Sequence, residues 1–132
     1  MKYASELLTF YATALLLTGV ALLFAPAEVG VSISEAGIGH ALFVQLLGAA
    51  FIGFAAANWI TRHSPIGGIY GRAIVIGNQA FALVGTLVLL GSFPNEPGIA
   101  FWVLLAVFGS GAVLHGVLLL RGPRSGSQEE PP

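Results

Sequence analysis

The sequence predicts an all-α fold, a transmembrane four-helix bundle with both termini on the inner side, and three observations carry that prediction. The chain has 132 residues, 56% of them hydrophobic and 8% charged; soluble domains run at about 45–50% apolar and about 25% charged. Four stretches (7–27, 36–61, 73–95 and 97–120) contain no Asp, Glu, Lys or Arg, and each exceeds the roughly 20 apolar residues that span a bilayer. Threading four spans back and forth puts all five basic residues on one side.

Hydrocarbon offers no partner to backbone polar groups, so each stretch is expected to be helical. The first helix is placed near 7–25. Ala25-Pro26-Ala27 after it resembles a signal-peptidase site, but the apolar run is longer than the roughly 7–15 residues of a signal h-region, and Glu6 follows the lone Lys2. The span is therefore expected to be retained. The second helix is placed near 38–61, the third near 72–92 and the fourth near 99–120. Breakers separate them: Pro26 and Gly30; then Pro65, Gly67, Gly68 and Gly71; then Pro94, Pro97 and Gly98. These spans form one domain over 1–120. The segment 121–132, polar and rich in Pro and Gly, reads as a disordered cytoplasmic tail.

Lys2, Arg62, Arg72, Arg121 and Arg124 share one side, and Glu28, Glu35 and Glu96 occupy the other. The excess of Lys and Arg marks the cytoplasmic face, which gives a multi-pass cell-membrane protein, N-in and C-in. Trp59 and Tyr70 near the inner boundary and Trp102 near the outer one agree with aromatic belts.

Inside lipid, close packing and interhelical hydrogen bonds must hold helices together. The row Gln45, Ala49, Gly53, Ala57 in the second span invites backbone approach. So do Asn78, Ala82 and Thr86, with Gly77 and Gly85, in the third, and Gly109, Ala112 and Gly116 in the fourth. Packing within the bundle is the plainer use of these rows; a seam between copies is the other. The outer loops share P-x-E-x-G, at Pro26–Gly30 and Pro94–Gly98. Ordinary helix-end chemistry explains the echo more simply than an internal repeat.

The chemistry-bearing residues are few. The absence of cysteine removes disulfides and thiolate metal sites, and a net charge of -1 points away from nucleic acid. Around the inner loop, Arg62, His63, Gly67, Gly68 and Arg72 combine positive charge, a glycine-rich turn and a helix start, a setting for a lipid phosphate. A turn that merely obeys the positive-inside rule is the alternative. The P-loop G-K-[ST] is missing. Depth counting brings Glu6, Asn58, Arg72, Asn78, Gln79 and His115 to one level near the inner surface. They are expected to form a connected network, with Glu6 opposite Arg72 or His115. Such a network is hydrogen-bonding glue or a ligand site. His40 reads as interfacial. No catalytic triad, metal set or cofactor motif is present, and no carboxylate lies mid-span. The last point argues against proton-coupled export of the small multidrug-resistance type, since Leu15, Leu16 and Leu17 occupy that depth. Membrane glutathione transferases, also four-helix proteins, are echoed only in Arg72 and Asn78.

The four spans and the run G-A-A-F-I-G-F-A-A-A-N-W from Gly48 to Trp59 resemble the small bacterial membrane proteins grouped as DoxX-like, some linked to quinone oxidoreductases. The resemblance is one of pattern and carries over no residue and no activity. Two function classes follow. One is a non-enzymatic structural or accessory component, with membrane lipid, another copy or another membrane protein as partner. The other is a binder or carrier of a lipid or quinone-like molecule. A pocket lined by Asn58, Asn78, Gln79 and His115 would favour the second, and a filled core the first.

Overall fold

The computed structural model describes residues 2–31, 39–63 and 69–121. Four long helices run through it: α1 (Lys2–Phe24), α3 (Gly39–Thr61), α4 (Ile69–Gly91) and α5 (Ile99–Arg121), with a short α2 (Pro26–Val31) after the first. Each long helix holds a membrane-length apolar segment, with mean hydropathy from 1.8 to 2.3. The protein is therefore an all-α, multi-pass membrane bundle. The segment 121–132 lies outside the described residues beyond Arg121.

Helix ends fall close to the expected places except at the start of α1, which begins at Lys2. An uncharged window marks what must sit in hydrocarbon, whereas a helix continues past the headgroups at no cost. A second difference lies in the outer connections. Pro26 opens α2, the first helical position suiting its fixed φ and missing N–H. The matching Pro94–Gly98 segment is bent and non-helical. The shared P-x-E-x-G therefore folds in two ways, which removes the local basis for a repeat.

The buried positions repeat at alternating three- and four-residue spacings. They are Val44, Gly48, Phe51, Ala55 and Asn58 on α3; Gly71, Val75, Asn78 and Ala82 on α4; and Phe101, Leu104, Phe108, Gly111, His115 and Leu118 on α5. Such a seam belongs to long, nearly parallel helix contacts. α1 packs chiefly on α3 and α4 chiefly on α5, while the α3–α4 and α1–α5 seams are thin.

The α1–α3 contact is closest at Gly19 and Gly48. A Cβ on either glycine would stand 2.8 Å from the other's carbonyl oxygen, so the backbones touch only because both side chains are absent. This corrects the row Gln45, Ala49, Gly53, Ala57 as the expected contact within the bundle. Ala49 and Gly53 are exposed and Gly53 faces open space. Gln45 reaches the Leu23 carbonyl at 3.3 Å. The true contact line, Val44, Gly48, Phe51 and Ala55, alternates large and small residues, so a search for consecutive small residues misses it. On α4 the row fares better. Asn78 and Ala82 are buried, and the Phe108 ring occupies the space a Gly85 side chain would need. On α5, Gly109 faces open space.

Candidate functional site

Near the end of the bundle that carries Lys2, Arg62, Arg72 and Arg121, three polar side chains from three helices meet. Asn58 lies in the last turn of α3, Asn78 in the first half of α4 and His115 in the last third of α5. Their exposures are 1%, 1% and 0%. Each occupies a position on its helix's buried seam, so folding the apolar stripes together brings the three into contact.

The bonding is continuous. Asn78 Nδ2 donates to the Ile74 carbonyl at 2.9 Å. Asn58 Nδ2 donates to Asn78 Oδ1 at 2.6 Å and to the Phe54 carbonyl at 2.8 Å. Asn58 Oδ1 faces His115 Nε2 at 3.3 Å, and His115 Nδ1 meets the Gly111 carbonyl at 2.9 Å. Each side chain thus reaches back one turn to its own helix and outward to a neighbour. Tyr11 of α1 closes the fourth side, its ring 5.1 Å from the imidazole in an edge arrangement. The tyrosine hydroxyl fills the space beside Gly111. Sequence reasoning missed Tyr11. The available signal was an aromatic with a polar tip, within a span, at the depth of His115.

The other expected members stand apart. Glu6 and Arg72 are exposed, and neither makes a hydrogen bond to Asn58, Asn78 or His115. Their charges stay outside the buried layer, where desolvating them would be costly. Gln79 is half-buried beside Gly116, and its Oε1 is enclosed with no donor in reach. Outside that set, Thr9 and Thr13 of α1 bond to the carbonyls of Ser5 and Thr9 on their own helix. In the proposed anion-binding set, the Arg62 guanidinium lies 3.9 Å over the Trp59 ring and bonds the Trp59 carbonyl. His63 Nδ1 pairs with the Ser5 hydroxyl at 3.2 Å. Gly67 and Gly68 lie outside the described residues, as does the side chain of His40. Among the described residues, no group of His, Asp and Glu could hold a metal ion.

Next to the polar layer, toward the other end of the bundle, stand Phe51 and Phe54 of α3, Phe81 of α4 and Phe108 of α5. Their ring centroids are separated by 4.3–5.5 Å. Beyond these rings the α3–α4 seam opens into a cleft of about 430 Å³ lined by Phe43, Val84, Val88 and Leu104 among others, all apolar. A second cleft of about 330 Å³ lies between α1, α2 and α5, beside Thr18 and Glu28. Neither opens on Asn58, Asn78 or His115. No family model, curated protein or solved structure matches the chain.

Proposed function

We propose that the protein is a non-enzymatic structural or accessory component of a cell membrane, N-in and C-in. The observation that carries this reading is the enclosure of the polar layer, whose side chains face one another rather than a cavity. Asn58, Asn78 and His115 engage one another and their own helix carbonyls behind a surface that leaves at most 1% exposed. Side chains so occupied serve as interhelical ties. The orientation rests on Lys2, Arg62, Arg72 and Arg121 sharing one end. Reporter fusions at Gly30, Gly68 and Gly98 are expected to read outside, inside and outside; an outside signal at Gly68 would reverse the topology. Purification in mild detergent tests the role. Asn78→Ala should lower thermal stability without releasing any small molecule.

A second reading rests on the apolar cleft between α3 and α4. It suits one acyl or isoprenoid chain of a lipid or quinone-like molecule, entering from the outer half. A co-purifying lipid that is lost in Val84→Phe, while Asn78→Ala retains it, would favour this role.

A further inference from the structure

We propose that the Asn78–Asn58–His115 chain is a proton-binding site, in which uptake of one proton at His115 Nε2 completes the hydrogen-bonded link between α5 and α3. The argument is a count of protons against contacts. The layer has five polar contacts: Ile74 O with Asn78, Asn78 with Asn58, Asn58 with Phe54 O, Asn58 with His115, and His115 with Gly111 O. Three of them end on backbone carbonyls, which only accept. The Ile74 carbonyl therefore fixes the Asn78 amide with Nδ2 toward it and Oδ1 toward Asn58. Asn58 must then turn Nδ2 toward both Asn78 Oδ1 and Phe54 O, leaving its own Oδ1 toward the imidazole. At the far end, a ring proton on Nδ1 serves Gly111 O, the shorter of the two imidazole contacts, and one on Nε2 would serve Asn58 Oδ1 instead.

A neutral imidazole carries one proton, but both of its nitrogens face acceptors. Four of the five contacts can then be hydrogen bonds. Flipping Asn58 satisfies Nε2 but sets two oxygens against Oδ1, at the Asn78 and Phe54 contacts. Flipping both amides sets oxygen against oxygen at Ile74 and at Phe54. No arrangement of a neutral ring does better than four, whereas an imidazolium satisfies all five. The distances follow the same order. Either neutral tautomer makes four; with the proton on Nδ1, the contact left without one, Nε2 to Asn58 Oδ1 at 3.3 Å, is the longest of the five.

The step is simple protonation: the Nε2 lone pair takes a proton from inner-side water, and no bond is broken. Both N–H groups of the cation then end on oxygens, as charge-assisted hydrogen bonds. The C-terminal end of α3, one turn beyond Asn58, adds negative partial charge. The groups facing His115 are Tyr11 from α1 and Asn58 from α3, with Gly111 on its own helix and Asn78 of α4 behind Asn58. Tyr11 is the titratable one among them. Glu6, His63 and Arg72 lie exposed at the rim, and Arg62 lies against Trp59.

The test is nitrogen NMR of the full chain, 15N-labelled at histidine, in phosphatidylcholine bilayers. His115→Gln identifies the His115 signals among those of the three histidines. At pH 8 the ring should carry its proton on Nδ1, the tautomer less populated by free imidazole in water. Acidification should protonate Nε2 as well. Asn58→Leu, which removes the acceptor, should weaken proton affinity about tenfold. A neutral ring protonated on Nε2, or one that stays neutral down to pH 4, would overturn the proposal. So would an unchanged or raised affinity in Asn58→Leu. If that variant does not fold, the wild-type tautomer and titration decide the matter alone.

Discussion

The α1–α3 seam and the α3–α4 seam share a helix and are held in opposite ways. Along α1–α3 two backbones meet at Gly19 and Gly48, and the contact leaves no room for a methyl group. Along α3–α4 the helices scarcely touch. They are joined by the Asn58–Asn78 amide bond and the Phe54–Phe81 stack, and open beyond into an apolar cleft. The first seam is specified by shape and tolerates no added atom. The second is specified by polarity and tolerates bulk over much of its length. Within one small bundle, steric fit and hydrogen bonding are thus alternative means to the same end.

Gly48→Leu should break the comparison most forcefully. Its side chain would enter the Gly19 carbonyl and the Leu22 side chain, and overpacking of this kind costs about 3 kcal/mol or more. Thermal unfolding in detergent should show a large loss, while Gly53→Leu, facing open space, should change stability by no more than about 0.5 kcal/mol. Equal losses would mean that Gly53 packs against something outside the monomer.

The amide pair comes next. Asn58→Leu and Asn78→Leu should each cost about 1–2 kcal/mol, since each leaves a buried partner unpaired. The double variant should lose less than the sum, because the second change removes the stranded group. Strict additivity in a double-mutant cycle would count against a direct bond.

The smallest effect sharpens the comparison by adding a bond. Gln79 Oε1 has no donor, and a Cβ at Gly116 would lie 3.6 Å from it. Gly116→Ser should therefore stabilise the α4–α5 contact by about 0.5–1.5 kcal/mol. Gly116→Ala, the control for helix propensity, should gain less. A serine variant no more stable than the alanine one would show that the hydroxyl does not reach.

The spans were legible because charge is excluded from hydrocarbon, and a gap in charge needs no knowledge of partners. The inward faces were harder to read. In a soluble helix an apolar stripe marks the core, but here the lipid-facing side is apolar too: Phe10, Phe24, Ile60 and Leu120 are all exposed. What marks the interior instead is the rare polar residue, and Asn58, Asn78 and His115 each fall on a buried seam. Depth alone grouped them with Glu6 and Arg72, because depth says nothing about direction around the helix. The Gly53 row failed as a contact within the bundle for the same reason. Small side chains permit close approach without requiring it, and only the partner at Gly19 selects Gly48.

The depth of His115 has an electrical consequence. It lies six residues before the end of α5, about 9 Å along the helix axis, in a hydrocarbon layer about 30 Å thick. In the proposed orientation, and with the hydrocarbon edge at the end of α5, a proton taken up there from the inner side would cross about a third of the layer. A potential of 100 mV acts on a full crossing with about 2.3 kcal/mol, so it would bias this site by about 0.7 kcal/mol, or roughly threefold in occupancy. Under that proposal, membrane voltage is a weak influence on the site beside pH.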